Sequence, residues 1–274
     1  MEVWQKLIDV NGTRLYCERA GAGDPLLLVH GGGGDRRFWD GQFEKLAETY
    51  DVVRYDLRGY GKSDNPVEGQ AYRHADDLHG LMLALGISRA DIAGFSLGCQ
   101  VAVDAYTVYP ELFRSIIAAG PFISGHTSPA TDALFDAYIE CGEIFRRDGA
   151  RAAADAFVNI PAYNPAHMDL QVKTEISGIC RDYRWWWANH ADPMQNVQPV
   201  ATELLPNIQV PMLIVTAEYD ATACREVADL LEQHVKVTKR VDFAGATHFM
   251  LTEKPADFNR ALTQFISDMD RSGH

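Results

Sequence analysis

The sequence predicts an α/β fold: a mostly parallel, eight-stranded sheet with helices on both faces and a helical cap inserted between two strands. Three observations carry that prediction. Short apolar runs alternate with longer helical patterns from residue 26 to 119 and again from 212 to 267, the pattern of parallel strands joined by crossover helices. Between those stretches the alternation stops and only helical patterns remain. Finally, the run Gly94-Phe95-Ser96-Leu97-Gly98 falls where a strand pattern gives way to a helical one.

Taken in order, Lys6–Val10 and Thr13–Ala20 flank Asn11-Gly12, a strong hairpin signal. Leu26–Val29 is a continuous apolar run, as expected of a strand buried on both faces. A glycine loop, His30 to Gly34, leads into a helical stretch ending near Thr49. The strand Asp51–Tyr55 is followed by the Gly-punctuated loop Asp56–Ser63. A helix near Tyr72–Leu85 leads to the strand Asp91–Phe95, then a helix over Leu97–Tyr109 closed by Pro110. Phe113–Ala119 is the next strand. After the insertion come a strand at Met212–Ala217, a helix near Arg225–Gln233, a strand at Val237–Phe243 and a helix over Pro255–Ser267. The segment between reads as helices at Asp132–Arg147, Ala150–Val158 and Leu170 to about His190. The expected division is a core of residues 1–120 and 206–274, with residues 121–205 as the cap.

Composition narrows the function. The chain has 274 residues, 47% of them hydrophobic, which suits one soluble domain with an insertion. A formal net charge of −13 argues against nucleic-acid and anionic-membrane partners, which call for a basic face. Cys17, Cys99, Cys141, Cys180 and Cys224 form no C-x-x-C pair and no His-Cys cluster in sequence. They read as reduced thiols rather than a disulfide frame or metal site. Met1 to Lys6 lacks the features of a signal peptide, and no apolar run approaches a bilayer span. A cytoplasmic protein acting on a small molecule is expected; oligomeric state is not readable.

The serine motif draws its weight from its context. A strand turning sharply into a helix holds Ser96 in a strained conformation with its Oγ exposed, and the flanking glycines avoid clashes. The helix N-terminus adds partial positive charge beside a developing oxyanion. Gly31 to Gly34 lacks both the Gly-Lys-Ser/Thr ending of a phosphate loop and the dinucleotide spacing.

With this motif and the alternating strands and helices, the chain resembles the α/β-hydrolase superfamily, specifically its compact capped esterase and lactonase branch, similar to 3-oxoadipate enol-lactonase-like enzymes. The likeness spans essentially the whole chain and is weakest through the cap. It implies a triad in the chain order Ser, Asp, His. Val215 to Asp220 looks like the family's strand-then-acid segment, and Ala244 to Phe249 like its histidine loop, which assigns Asp220 and His248. His248 would take the proton of Ser96, and Asp220 would fix the imidazole tautomer. Glu218 competes with Asp220, since both lie about one strand end. His30 to Gly34 resembles the family's oxyanion loop, which implies Gly32 and Leu97 as the N–H donors, with Gly33 next. His30 reads as structural, and Asp56–Ser63 as a scaffold loop. The remaining histidines (His74, His79, His126, His167, His190, His234 and His274) read as surface or structural.

Two departures qualify the likeness. Cys99 stands where many relatives have glycine and reads as a small buried thiol. The nucleophile position is Ser, not Asp, which disfavours the epoxide hydrolase and haloalkane dehalogenase branches. The cap is rich in aromatics and carries Trp185-Trp186-Trp187. Three consecutive residues cannot share one helix face, so at least one should leave the cap's own core. Gly33, Phe95, Trp185, Trp186 and Trp187 are the candidates for substrate contact, in a pocket suited to a medium-sized hydrophobic molecule. The implied reaction is cofactor-free and metal-free hydrolysis of an ester or lactone. Carbon–carbon hydrolysis of a vinylogous diketone, perhydrolysis, and small-molecule reception with little turnover stay open.

Overall fold

In the computed structural model, which describes residues 2–272, β1 (Trp4–Val10) and β2 (Thr13–Ala20) form the expected hairpin. Met1 and His274, both part of the sequence reading, lie outside the described residues. Asn11 and Gly12 take φ of 48° and 75°, the two left-handed positions that a tight turn between twisted strands requires. The other strands are β3 (Pro25–Val29), β4 (Asp51–Tyr55), β5 (Ala90–Phe95), β6 (Phe113–Ala119), β7 (Met212–Tyr219) and β8 (Thr238–Thr247). They form one eight-stranded sheet in the order β1-β2-β4-β3-β5-β6-β7-β8. Only the β1–β2 and β2–β4 pairs are antiparallel.

Eleven α-helices are described: α1 (Asp40–Leu46), α2 (His74–Ala84), α3 (Leu97–Val108), α4 (Pro129–Asp148), α5 (Ala150–Val158), α6 (Leu170–Cys180), α7 (Trp186–Asn189), α8 (Ala201–Leu204), α9 (Thr222–His234), α10 (Met250–Glu253) and α11 (Pro255–Ser272). Strand side chains alternate between two cores. Leu27, Val29, Ile92 and Ile214 pack with Leu78 and Leu81 of α2, Val103 of α3 and Leu231 of α9. Leu26, Leu28, Ala93 and Val215 pack with Phe43 of α1 and with Phe258 and Leu262 of α11. That second core continues into the inserted helices through Phe157, Ile176 and Trp185, so the insertion packs on the sheet as one body.

The expected long helix from Leu170 to His190 is broken. α6 ends at Cys180, and Trp185 stands at φ 48° as the residue before α7. Its indole is fully buried between Phe145, Tyr138 and Tyr183, at ring separations of 6.4, 5.4 and 4.9 Å. Burying so large an apolar surface outweighs the roughly 1–2 kcal/mol cost of a left-handed non-glycine residue. The last strand runs four residues past the expected Phe243, to Thr247. Among the described residues no helix is long and apolar enough to cross a membrane.

Candidate active site

Ser96 sits between β5 and α3 with φ 52° and ψ −112°, a strained backbone for a side-chain-bearing residue. Two hydrogen bonds hold it there: its N–H donates to Ala119 O at 2.9 Å, and its carbonyl accepts from Cys99 N at 2.9 Å. The glycines on either side are dictated by close approach. A Cβ at Gly94 would strike the backbone of Gly98 and Cys99, and one at Gly98 would strike the Val29 carbonyl. Leu97 opens α3, so its N–H has no intrahelical acceptor.

Asp220 follows β7 and is fully buried; His248 follows β8 and is 2% exposed. Asp220 Oδ1 lies 2.7 Å from His248 Nδ1 and also accepts the Ala221 N–H at 2.8 Å. A carboxylate acceptor puts the ring proton on Nδ1 and leaves Nε2 as the acceptor nitrogen. Glu218, the competitor, is exposed, and its Oε2 accepts from Gly245 N at 2.9 Å. That backbone bond, with a side-chain hydrogen bond to Tyr219, holds its carboxyl below the usual range. Thr247 donates through N and Oγ1 to Glu253 at 2.6 and 3.0 Å, fixing the turn that carries His248.

Ser96, Leu97, Gly32, Phe95 and His248 line one cavity of about 560 Å³, with Trp186 and Trp187 of the inserted segment also in its wall. The size is that of an ordinary small-molecule site. Two residues expected at the substrate do not line this cavity. Trp185 lies behind the lining, in the core shared by the inserted helices and the sheet. Gly33 also stands off the wall, because the Phe157 ring covers it; a Cβ there would be 2.5 Å from that ring.

His30 matches its structural reading. Its Nε2 accepts from Leu57 N at 3.0 Å while Nδ1 faces the Gly31 carbonyl at 2.7 Å, and burial lowers its pKa. Cys99 is wholly buried, with its thiol pushed up to about 12 by desolvation. All five cysteines are free and buried. His74 takes the structural rather than the surface option: it is 7% exposed on the cavity wall, beside Tyr72 and Tyr60, and burial drives its pKa down to about 3. His126 also lines the cavity, 3.3 Å from Glu226.

Sequence reasoning missed four neighbours of His248. The Tyr163 ring stacks on the imidazole at 4.8 Å and 4°. Phe95, expected only as a substrate contact, lies 5.0 Å from the same ring. Gly120, at φ 51°, passes so close that a Cβ would be 2.9 Å from His248 Cε1. Cys224 Sγ is 3.8 Å from Nδ1. Asp220, Cys224 and His248 are the one group among the described residues whose atoms could converge on a metal ion. Its donors are already committed: Nδ1 is bonded to Asp220, and burial holds the thiol well above its usual range, hence protonated.

Comparison with known proteins agrees with this architecture. Residues 26–261 match the model of the Alpha/beta hydrolase family. The 2-(acetamidomethylene)succinate hydrolase of Mesorhizobium japonicum is 27% identical over 273 residues, covering 94% of each chain. A thermophilic esterase from Thermogutta terrifontis superposes with a TM-score of 0.78 at 24% identity, covering 97% of this chain and 98% of that one. The enol-lactonase of Burkholderia xenovorans LB400 superposes at 0.77 and 22% identity, covering 96% and 100%. The chain belongs to the α/β-hydrolase family.

Proposed function

We propose that this chain is a serine hydrolase that cleaves a carboxylic ester or lactone of a medium-sized hydrophobic molecule through an acyl-enzyme. The observation that carries the reading is the buried 2.7 Å bond from His248 to Asp220, with His248 and the strained Ser96 lining one cavity. In this reading Ser96 Oγ attacks the carbonyl carbon as His248 Nε2 takes its proton. The Gly32 and Leu97 N–H groups hold the oxyanion, and the proton passes to the leaving oxygen as the carbon–oxygen bond breaks. Water repeats the sequence to release the acid. Asp220 keeps the imidazole in one tautomer and stabilises the imidazolium. Residues 121–205 act as the cap, and Phe95, Trp186 and Trp187 contact the substrate. No cofactor or metal enters.

An esterase and an enol-lactonase stand among the similar structures, as does a meta-cleavage product hydrolase, so the test has to separate ester from carbon–carbon bonds. Labelling with a fluorophosphonate probe and turnover of p-nitrophenyl butyrate test the assignment. The parent should label and turn over, while Ser96→Ala should lose labelling and fall by at least about 10³ in kcat, a floor set below the roughly 10⁶ cost of deleting a catalytic serine. Residual activity within tenfold of the parent would remove Ser96 from the role. Turnover of a dienoic diketone without ester hydrolysis would move the enzyme to carbon–carbon cleavage.

A further inference from the structure

The space directly above Gly32 is bounded by a cap side chain. A Cβ built on Gly32 would meet nothing closer than the Tyr138 hydroxyl at 3.8 Å and Leu97 Cδ2 at 4.0 Å. The opening over the expected oxyanion loop is therefore roofed by a phenol on α4, and Tyr138 lines the same cavity as Ser96. Its ring is clamped between Trp187 at 5.4 Å and Phe157 at 6.0 Å, which fixes where the hydroxyl points.

The hydrogen bonds around that hydroxyl are arranged unevenly. Trp187 Nε1 can only donate, and it donates to Tyr183 Oη at 3.0 Å. Tyr183 Oη is also the acceptor for the Tyr138 hydroxyl, but at 3.4 Å, beyond the usual 2.5–3.0 Å of an O–H···O bond. Tyr60 and Trp187 also interact with the Tyr138 hydroxyl, so its proton sits in a shared network in which the direct bond to Tyr183 is long and that acceptor is already served by Trp187. A rotation about the phenol C–O bond frees that proton for the cavity at small cost. Burial raises the pKa of Tyr138 well above the ordinary phenol value, so the group stays a donor throughout the working range.

We propose that Tyr138 is a third oxyanion donor, supplied by the cap, which exchanges its long bond to Tyr183 for one to the negatively charged oxygen formed over Gly32. This rests on the hydrolase reading above. The exchange replaces a weak neutral bond by a charge-assisted one, a gain realised in the transition state and absent for the uncharged carbonyl. It also makes catalysis depend on the cap being seated, since Tyr138 is the only donor of the three that the cap supplies.

The test compares Tyr138→Phe with Tyr183→Phe in p-nitrophenyl butyrate hydrolysis and in binding of propyl trifluoromethyl ketone, which forms a charged tetrahedral adduct. Tyr138→Phe should lower kcat by about 10- to 100-fold, below the full effect of an oxyanion donor on a backbone loop. KM should stay within about threefold, and ketone affinity should fall by the same factor as kcat. Tyr183→Phe removes the competing acceptor and should stay within about threefold of the parent in both. Equal losses in the two variants, or unchanged ketone affinity in Tyr138→Phe, would reduce Tyr138 to cap packing. If Tyr138→Phe does not fold, difluorotyrosine at 138 replaces it. The more acidic phenol should tighten the ketone, and unchanged affinity would overturn the proposal. Parent protein that neither labels with fluorophosphonate nor hydrolyses the ester would sink the underlying hydrolase reading instead.

Discussion

Replacing Asp220 by Asn separates two contributions that the carboxylate makes to His248. In a related triad the same change costs about 10⁴ in kcat, attributed to inversion of the imidazole tautomer. Here the local geometry resists that inversion. Oδ1 accepts both the Ala221 N–H at 2.8 Å and the His248 ring proton at 2.7 Å, so an asparagine must keep its oxygen in that place. Turning the amide over would set its NH₂ against the Ala221 N–H. The NH₂ then occupies the Oδ2 position, which is buried without a partner. The tautomer survives, and what is lost is the charge beside the imidazolium. At about 4 Å between charge centres and an effective dielectric near 20, that attraction is about 4 kcal/mol, or roughly 10³ in rate. The expected outcome for Asp220→Asn is therefore a kcat loss of about 10³, with a fold destabilised by about 1–3 kcal/mol through the stranded NH₂. Glu218→Gln keeps an oxygen for Gly245 N and should stay within about twofold. Both are measured on one activated ester, with urea unfolding in parallel. A crippled Glu218→Gln beside a nearly normal Asp220→Asn would refute the assignment.

Two further outcomes follow from buried neighbours. Gly120→Ala places a methyl 2.9–3.0 Å from His248 Cε1 and Nδ1 on a backbone at φ 51°, so kcat should drop by at least about tenfold and fluorophosphonate labelling should slow; parent-like rates would show that the ring has room to move. His74 has its folded pKa lowered to about 3, so below about pH 6.5 the unfolded chain binds a proton that the folded chain refuses, and stability falls as pH drops toward 3. His74→Phe should flatten that slope by up to about 1.4 kcal/mol per pH unit in urea titrations at pH 4 to 7, and an unchanged slope would contradict the burial argument.

All eight strands and the turn at Ser96 were legible because each rests on local signals: apolar runs of strand length, Asn11-Gly12, and glycines flanking a serine. Glu218 against Asp220 was only half legible. Alternation about a strand end says that one points inward, but which one depends on where β8 delivers His248. The break at Trp185 was hidden, since the helical pattern of residues 170–190 carries no proline and the interruption comes from burying an indole against α4. Tyr163, Gly120 and Cys224 were missed for a common reason. Each meets His248 from a different element, 24 to 128 residues away in sequence, and nothing in its own neighbourhood signals a role. His74 stays open between surface and structure in the sequence, because a histidine at the start of a helix carries no local sign of the aromatic rings that bury it.

The glycine loop from His30 to Gly34 has little side-chain material of its own to hold it, yet an oxyanion site works only if its donors are fixed beforehand. The fixing comes from the segments that flank it. Asp56, the residue after β4, accepts Arg36 N at 3.0 Å and Lys62 N at 2.8 Å, joining the exit of the glycine loop to the Gly-punctuated loop after β4. Arg36 pairs with Asp56 at 3.1 Å and with Glu18 at 2.8 Å, and Glu18 pairs in turn with Arg54 at 2.7 Å. His30 ties the loop's entrance to Leu57. A buried ionic chain of this kind adds little net stability, because desolvation offsets most of the attraction. Its use here is positional: every member is paired with a partner on a different strand or loop, so the chain closes only when both ends of the glycine loop are in place. Apolar residues of equal volume could fill the same space and hold the fold, but they would leave the loop's N–H groups free to wander.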